Sequence, residues 1–297
     1  MKNITIAGTG VLGAQIAFQT AFSGYQVTVY DINDEILEKA KTKFSDLVER
    51  YKKDLNASQE KLDTAISNLK YSADLKTAVA DADLLIEAIP ENIDIKTAFY
   101  TQLAKVAPDK TLFATNTSTL LPGNIAPFTG RPERFLALHF ANEIWLHNVT
   151  EIMGHSGTDP KVFDQLVEFS KTIGMIPVPI RKEQPGYVMN SLIVPWVFAA
   201  LKLWADDVAD VQTIDKVWMV INETKYGPFV NLDIVGMNTV YNALSAINKN
   251  LNDPILEKAM TTIKEKFIDK GKFGKLSGEG FYKYPNPAFE DESFLKG

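Results

Sequence analysis

Short apolar runs alternate with amphipathic stretches over the first 180 residues of the chain. The apolar runs have the length of strands, and they are Ile4–Ile6, "QVTVYD", "DADLLIEAIP", "TLFATNTST", "RFLALHF", "NVTEIMG" and "MIPVPI". Helical spacing between them predicts helices over residues 14–22, 33–56, 58 onward, 93–106 and 160–172. Because strand and helix alternate, we predict a mainly parallel sheet of the Rossmann-type, doubly wound α/β class.

The pattern changes near "RKEQPGYVMN". Beyond Pro185 strand signals are few, and apolar residues recur at helical spacing between positions 196 and 219. We therefore predict a nucleotide-binding domain over residues 1–183 and an all-helical domain for substrate and dimerisation over residues 184–297. The stretch "NSLIVPWVFAALKLW" is apolar on more than one helical face, which favours a homodimer formed through this second domain.

Charge and composition restrict the classes of partner. The chain has 31 basic and 37 acidic residues and a net charge of -6, which argues against nucleic acid or an acidic membrane surface as its partner. It has no cysteine, so disulfides and thiolate nucleophiles are excluded, and we predict no metal site. The absence of cysteine fits a reducing cytoplasm. We expect no signal peptide or transmembrane helix, because no apolar run of about 18 residues occurs.

A glycine-rich turn follows the first predicted strand. Gly8 allows a tight turn, Gly10 lets the backbone approach a pyrophosphate, and Gly13 lets the following helix pack on the strand. The next strand ends in Asp31, which would accept hydrogen bonds from a ribose diol and repel a 2′-phosphate. The turn therefore predicts NAD rather than NADP, with FAD as the competing cofactor. The other predicted contacts in this turn are Thr9, Val11 and Leu12.

Two of the three histidines lie in one segment, "LALHFANEIWLHNVTEIMG". His139 ends a predicted strand on the carboxyl side of the sheet, and a histidine there suits proton exchange with an alcohol or ketone. Glu151 on the next strand would fix the imidazole tautomer and stabilise the imidazolium. The alternative is a core histidine with all its hydrogen bonds made, and a glutamate on the surface. His147 and His155 are predicted loop residues, and Trp145 either lines a pocket, which we favour, or anchors the loop.

Seven motifs occur in the order typical of 3-hydroxyacyl-CoA dehydrogenases. They are "GTGVLGAQIA", "DADLLIEAIPENIDIK", "ATNTSTL", "LALHFAN", "PGYVMN", "GPFVNLDIVG" and "GKLSGEGFYKY". The chain resembles this family over nearly its whole length, and "HFANEIW" with "FATNTSTLLP" most resembles the diketoreductase branch. The resemblance implies an NAD(H)-dependent oxidoreductase that interconverts a 3-hydroxyacyl and a 3-ketoacyl substrate.

The resemblance also implies roles for single residues. His139 is the implied catalytic acid/base and Glu151 its partner, while Ser118 and Asn190 hold the reacting oxygen or its neighbour. Asn142 is an implied contact on the nicotinamide side. The alternative role for Ser118 and Asn190 is to cap a helix or a turn, and the alternative role for Asn142 is to form a turn. The remaining implied cofactor contacts are Glu91, Lys96 and Asn116. The alternative for Lys96 is a solvent-exposed residue of a helix.

The chain departs from the family at several positions. Family members continue "HFFNP" after the histidine, whereas no proline follows Asn142 here. Leu47 and Asp54 replace a Ser and a Lys that grip CoA in the family, and Ser191 and Leu276 replace basic residues. These departures favour a β-keto or 3,5-diketo acid or ester over a CoA thioester. The alternatives are a hydroxy-acid dehydrogenase of another branch, acting on a sugar acid or carnitine, and a non-catalytic NAD-binding protein of the crystallin type.

Overall fold

The computed structural model describes residues 1–296, which form two compact units, one comprising Met1–Val188 and the other beginning at Met189. An eight-stranded sheet forms the centre of the first unit. Its strands are β1 Asn3–Ala7, β2 Gln26–Tyr30, β3 Leu69–Ser72, β4 Leu84–Glu87, β5 Leu112–Thr115, β6 Phe135–Phe140, β7 Val149–Met153 and β8 Ile176–Ile180. Their order across the sheet is β3-β2-β1-β4-β5-β6-β7-β8, and all neighbours are parallel except the antiparallel pair β6 and β7. The predicted fold class of this unit is confirmed.

Helices connect these strands. They are α1 Val11–Phe22, α2 Asp34–Leu55, α3 Gln59–Ser67, α4 Leu75–Val79, α5 Ile93–Val106, α6 Pro122–Ile125 and α7 Pro160–Thr172. Side-chain oxygens of Asn33, Ser58 and Asn92 accept backbone N–H groups at the starts of α2, α3 and α5. Gly24 follows α1 with a φ of +92°, a conformation that glycine adopts without strain. The predicted helices are confirmed because these capping signals are local.

The prediction missed β3, α4 and the four-residue helix α6. Strand β3 has four residues, "LKYS", at the edge of the sheet, and only Leu69 in it is buried. Helix α4 spans five residues that begin after the Asp74 cap. Such short elements carry too little hydrophobic periodicity to be recognised, and pairing with β2 decides that β3 is a strand.

The central strands are buried on both faces. Residues 4–7 of β1 and every residue of β4 are buried, as expected when helices cover both sides of a parallel sheet. The chain order reverses between β1 and β4, where β2 and β3 extend to one side of β1 and β5 onward to the other. In open α/β sheets, ligands bind at the carboxyl ends of the strands flanking such a reversal. The glycine-rich turn lies at this edge.

The second unit is helical, as predicted. Its helices are α8 Met189–Ala205, α9 Val211–Asn222, α10 Pro228–Val235, α11 Met237–Leu251 and α12 Pro254–Lys266. Up to residue 296, the only β structure in this unit is isolated bridges. None of the helices in residues 1–296 has both the length and the apolar character required to cross a membrane. The domain boundary after residue 183 stays a prediction.

Two buried aspartates hold the second unit together and explain two of its motifs. Asp215 accepts hydrogen bonds from the Phe229 N–H at 2.8 Å and the Tyr282 hydroxyl at 2.8 Å. Asp233 accepts the Tyr282 N–H at 2.9 Å. A side chain at Gly280 would lie 2.1 Å from an Asp233 carboxylate oxygen, which leaves room for glycine alone. "GPFVNLDIVG" and "GEGFYKY" are therefore structural motifs that meet at these carboxylates.

Candidate active site

The glycine-rich turn lies between β1 and α1 and leaves open space in front of the helix. A side chain at Gly8 would meet the Ala88 carbonyl oxygen at 2.6 Å, and one at Gly13 would meet the Gly8 carbonyl oxygen at 2.0 Å. A side chain at Gly10 would meet nothing within 4 Å. No side chain caps α1, so its first N–H groups are available to an anion, with Val11 exposed beside them. These features fit a dinucleotide pyrophosphate.

A cavity of about 800 Å³ adjoins this turn and fits the adenosine half of a dinucleotide. The residues around it include Gly8, Gly10, Asp31, Lys43, Ala88 and Phe99. Asp31 Oδ2 accepts the Thr9 N–H at 2.8 Å and the Thr9 hydroxyl at 2.6 Å, so this carboxylate also fastens the turn. Lys43 from α2 donates to the Thr9 carbonyl at 2.5 Å. The cavity therefore presents one acidic and one basic side chain to a ligand.

His139 and Glu151 face each other on adjacent strands. They are register partners in the antiparallel pair β6–β7, and the imidazole Nδ1 lies 2.9 Å from Glu151 Oε2. Their side chains are 4% and 3% exposed, so Glu151 is not the surface charge of the alternative interpretation. The second carboxylate oxygen accepts the Val188 N–H at 2.8 Å. The carboxylate is thus oriented through both oxygens, and it fixes the proton of the imidazole on Nδ1.

Ser118 lies on the other side of the imidazole. His139 Nε2 is 3.2 Å from the Ser118 hydroxyl oxygen, so both ring nitrogens have partners. Ser118 is half-buried, in the loop after β5. The arrangement aligns a carboxylate, an imidazole and a hydroxyl at the carboxyl ends of the strands. Such a chain of groups can move a proton to or from an oxygen held beside Ser118.

Glu91 organises the loop that carries Ser118. One of its carboxylate oxygens, Oε1, accepts the Thr117 hydroxyl at 2.5 Å, the Ser118 N–H at 3.0 Å and the Thr119 N–H at 2.9 Å. Burial opposes ionisation of Glu91, but the hydroxyl of Thr117 and the charge of Lys96 outweigh it and hold the pKa of this carboxyl below its usual range. Glu91 therefore stays ionised and fixes the position of Ser118.

Lys96 is one of the most buried polar side chains in the first unit. It is 1% exposed, and its ammonium donates to Glu87 Oε1 at 2.5 Å and lies 3.4 Å from Glu91 Oε2. Burial raises the pKa of the Glu87 carboxyl, and the Lys96 charge opposes this. The interpretation of Lys96 as a solvated helix residue is wrong, because α5 packs over the sheet at this point. Its role as a cofactor contact stays a prediction.

Gln15 connects α1 to the loop after β6. Its side-chain amide donates to the Asn142 carbonyl oxygen Oδ1 at 2.8 Å and accepts the Glu143 N–H at 2.8 Å. Glu143 has a φ of +56°, which is unfavourable for a residue other than glycine. Gln15 therefore stabilises the conformation of the loop that follows His139 and holds the Asn142 side chain in place. Nothing in the sequence of α1 marked this residue.

The favoured interpretation of Trp145 needs correction. The Trp145 side chain is 6% exposed and belongs to the hydrophobic core, and its indole N–H donates to Asp54 at 2.9 Å. It anchors the loop and does not line a pocket, because the core beneath α2 accepts the whole ring. The prediction that His147 and His155 are loop residues is confirmed; His147 contacts the Asn142 carbonyl oxygen at 3.0 Å.

The remaining predicted residues lie at strand and helix ends. Asn116 follows β5, and its side-chain oxygen accepts the Phe140 N–H at 3.0 Å, which joins the ends of β5 and β6. Leu12 and Gly13 lie in the first turn of α1. Asn190 is the second residue of α8, in the second unit. The functional roles of these residues stay predictions. No group of three His, Asp or Glu side chains in residues 1–296 is arranged to hold a metal ion.

Sequence reasoning missed Tyr187. Its ring stacks on the His139 imidazole with 4.6 Å between centroids and an angle of 27°. Burial raises the pKa of the Tyr187 hydroxyl, and the charges of Glu91 and Glu151 add to this. The phenol is therefore neutral, and it covers one face of the imidazole. The signal was its place in "PGYVMN", but no local pattern shows which side chain it contacts.

The chain matches two family models of the 3-hydroxyacyl-CoA dehydrogenases, the NAD-binding domain over residues 3–184 and the C-terminal domain over residues 186–284. It is 33% identical over 289 residues to the human mitochondrial hydroxyacyl-coenzyme A dehydrogenase, covering 96% of this chain and 91% of that protein. It is 28% identical over 284 residues to a probable 3-hydroxybutyryl-CoA dehydrogenase of Bacillus subtilis, covering 96% and 98%.

Among solved structures, the chain resembles a diketoreductase described for substrate-directed dual catalysis of dicarbonyl compounds. The TM-score is 0.91 and the identity 49%, covering 96% of this chain and 99% of that one. The predicted cofactor, NAD, and the predicted chemistry, oxidoreduction of the 3-hydroxyacyl type, are confirmed by these likenesses. The chain belongs to the 3-hydroxyacyl-CoA dehydrogenase family of NAD-dependent oxidoreductases.

Proposed function

We propose that the chain reduces the β-carbonyl of a free 3-keto or 3,5-diketo acid or ester with NADH, in preference to a CoA thioester. The observation that carries the proposal is the alignment of Glu151, His139 and Ser118, with 2.9 Å and 3.2 Å between their contacting atoms. This intact set also argues against a non-catalytic NAD-binding protein, which would be free to lose it.

In the proposed mechanism, bound NADH supplies the hydride that the carbonyl carbon accepts. His139 begins protonated and gives its Nε2 proton to the oxygen that becomes the alkoxide. Glu151 stabilises the imidazolium through Nδ1 and keeps Nε2 pointed at the substrate oxygen. The Ser118 hydroxyl donates to the same oxygen, and Asn190 is assigned a second donor role from the family resemblance. In the oxidative direction His139 acts as the base.

The preference for a free substrate rests on the residues that replace the family's CoA grip. Leu47 is 6% exposed and packs in the core, so it offers no polar group to a ligand. Asp54 carries the wrong charge for a phosphate, and it already accepts the Trp145 indole N–H. The identity of 49% to a diketoreductase supports the same substrate class.

The test is NADH oxidation at 340 nm with acetoacetyl-CoA and, in parallel, with a free 3,5-diketo ester at matched concentration. We expect the larger kcat/KM with the free ester. A larger kcat/KM with acetoacetyl-CoA would contradict the substrate class but leave the hydride chemistry in place. A third arm with carnitine and sugar acids, run in the oxidative direction with NAD, tests the other branches.

The second unit is proposed to form a homodimer. Large apolar side chains are exposed on α8 and α9, with Leu192 at 68%, Val217 at 53% and Ile221 at 74%. Val217 and Ile221 line a groove of about 450 Å³ together with Trp196 and Trp218. Contiguous apolar surface of this kind marks an interaction site, and a second copy of the chain is the proposed occupant. Light scattering should give a molecular mass of two chains for the wild type, and Ile221→Glu should give the mass of a single chain.

A cytoplasmic location is also proposed. The cysteine-free composition fits a reducing compartment but does not select one, and the human relative is mitochondrial. Fractionation of the source cells, followed by detection with an antibody, tests this. Recovery of the chain in an organelle or outside the cell would contradict the location and leave the enzymatic proposal unaffected.

A further inference from the structure

The loop after β6 is tied to the last turns of α2. The Trp145 indole N–H donates to Asp54 Oδ2 at 2.9 Å, and the Tyr51 ring lies 5.3 Å from the indole between centroids. The Arg50 guanidinium carbon lies 5.8 Å from the indole centroid, and its Nη1 lies 3.4 Å from Glu143 Oε1. One turn of the helix thus contacts two residues of the loop.

The indole contributes most of the energy of this tie. A tryptophan ring buries roughly 150–250 Å² of apolar surface, and a hydrogen bond to a charged acceptor is stronger than one between neutral groups. The Arg50–Glu143 pair is half exposed, with side chains 51% and 38% exposed, so it adds little. Removing either the indole N–H or the Asp54 acceptor should therefore loosen the loop without unfolding the unit.

We propose that Trp145 and Asp54 are positioning residues that restrict the enzyme to substrates without a CoA moiety, an inference that rests on the proposed function. The loop they hold also carries Asn142, three residues after His139, and the Asn142 side-chain oxygen accepts the Gln15 amide at 2.8 Å, so the tie acts on the segment that follows His139. A long tail leaving between this loop and α2 would have to displace the indole and leave the Asp54 carboxylate without its donor. A short keto acid or ester has no tail to place there.

The charges on the same turn predict what opening the tie would do. Lys52 and Lys53 are exposed in the last turn of α2, next to Asp54. While Asp54 is present and ordered by Trp145, its negative charge lies beside these two lysines and weakens their attraction for a polyanionic tail. Removal of the carboxylate would leave a basic turn, which favours the phosphates of CoA.

The experiment compares kcat/KM for acetoacetyl-CoA with kcat/KM for a free 3,5-diketo ester in wild type and four variants. Trp145→Phe keeps an aromatic ring but removes the donor, and Asp54→Ala removes the acceptor. We expect each to raise the thioester-to-ester ratio about tenfold, the effect of losing one charge-assisted hydrogen bond. Asp54→Asn retains an oxygen that accepts the indole N–H, so its ratio should exceed that of wild type by less than Asp54→Ala does. Asp46→Ala, which removes an exposed carboxylate from the same helix, is the matched control.

NADH affinity and the thermal midpoint are measured on each variant. NADH affinity should stay at the wild-type value in all four, and the thermal midpoint should stay there in the Asp54 and Asp46 variants, because both residues are exposed on α2. Trp145→Phe shrinks a core side chain, so its thermal midpoint should fall, and its kinetics are compared at a temperature where the variant is folded. If the thioester-to-ester ratio of Trp145→Phe and Asp54→Ala stays at the wild-type value, the inference is overturned. The proposed function still stands in that case, provided that the wild type prefers the free ester. A ratio that rises equally in Asp46→Ala also overturns it, since any lost carboxylate would then suffice. A wild-type preference for the thioester refutes the proposed substrate class before any variant is compared.

Discussion

Glu151 holds the His139 imidazole from the neighbouring strand, with 2.9 Å between Oε2 and Nδ1. The two residues are twelve positions apart in the chain but are direct partners in the antiparallel β6–β7 register. Cross-strand partners are among the closest side-chain neighbours that a sheet provides. The strands therefore set the geometry of the pair, and neither residue has to be held by a flexible loop.

Replacing His139 with Gln should reduce turnover to a small residual rate and leave NADH binding intact. Glutamine fills a similar volume but cannot donate a proton to the developing alkoxide, and loss of a general acid lowers the rate by about 10²- to 10⁴-fold. Steady-state kinetics and calorimetric titration with NADH measure the two effects separately. His147→Gln, in the exposed part of the loop, is the matched control, and wild-type turnover of His139→Gln would refute the assignment.

Replacing Glu151 with Gln should lower kcat by about 10²-fold or more, by analogy with removal of the orienting carboxylate in catalytic triads. The pH profile of kcat should also change shape, because the amide no longer stabilises the imidazolium. Rates measured across a pH series give both quantities. If kcat falls but the profile keeps its shape, Glu151 has only a structural role. Glu143→Gln removes a half-exposed carboxylate from the nearby loop and serves as the control.

Replacing Ser118 with Ala should lower kcat/KM by about 10- to 100-fold, the effect expected from loss of one hydrogen bond to a charged transition state. The affinity for NADH should not change, because the Ser118 hydroxyl contacts the His139 imidazole and not the cofactor cavity. Ser156→Ala, at an exposed position, is the control. Equal catalytic efficiency in wild type and Ser118→Ala would leave Ser118 as a turn residue.

Replacing Lys43 with Ala should weaken NADH binding about five- to tenfold and leave kcat at saturating NADH within twofold of wild type. Lys43 lines the adenosine cavity and donates to the Thr9 carbonyl, so its loss removes a cation and loosens the glycine-rich turn. Calorimetric titration measures the affinity. Lys39→Ala, an exposed lysine on the same helix, should bind NADH as wild type does; a matching loss there would make the Lys43 effect non-specific.

The stability of the chain should depend on pH through Asp215. Burial raises the pKa of this carboxyl from 3.8 to about 6, against the opposing hydrogen bonds of Phe229, Tyr282 and Val230. Because the pKa of Asp215 is higher in the folded protein than in the unfolded chain, the protonated carboxyl stabilises the fold. This stabilisation is fully present below the unfolded pKa, near pH 4, and is lost as the pH rises through the folded pKa of about 6. The loss is on the order of 2 to 3 kcal/mol.

Asp215→Asn cannot ionise, so it should not lose this stability, and its free energy of unfolding should increase relative to that of wild type between pH 4 and pH 7. Urea unfolding at three pH values in this range measures the difference. Asp206→Asn, in an exposed segment, should show a constant difference from wild type. A constant difference for Asp215→Asn as well would mean that Asp215 titrates at the same pH in the folded and unfolded chain.

Much of the fold and part of the candidate site follow from local sequence. The strand runs, the caps at Asn33 and Ser58 and the turn around Gly10 act over a few residues, so their signals survive without knowledge of the rest of the chain. His139 and Glu151 were also within reach, because adjacent strands joined by a short loop bring such positions together. The sequence by itself thus determined the α/β class and the nucleotide turn, and it offered the pairing of His139 with Glu151 as one of two interpretations, between which the β6–β7 register decides.

Tertiary structure alone decided which side chains surround that pair. Tyr187 stacks on the imidazole, Gln15 holds the loop beside it, and Trp145 enters the core and does not face a pocket. Lys96, which fits a solvated position by pattern, is buried against Glu87. Each of these contacts joins elements far apart in the chain, and a side chain's burial depends on what packs over it, which local periodicity does not contain.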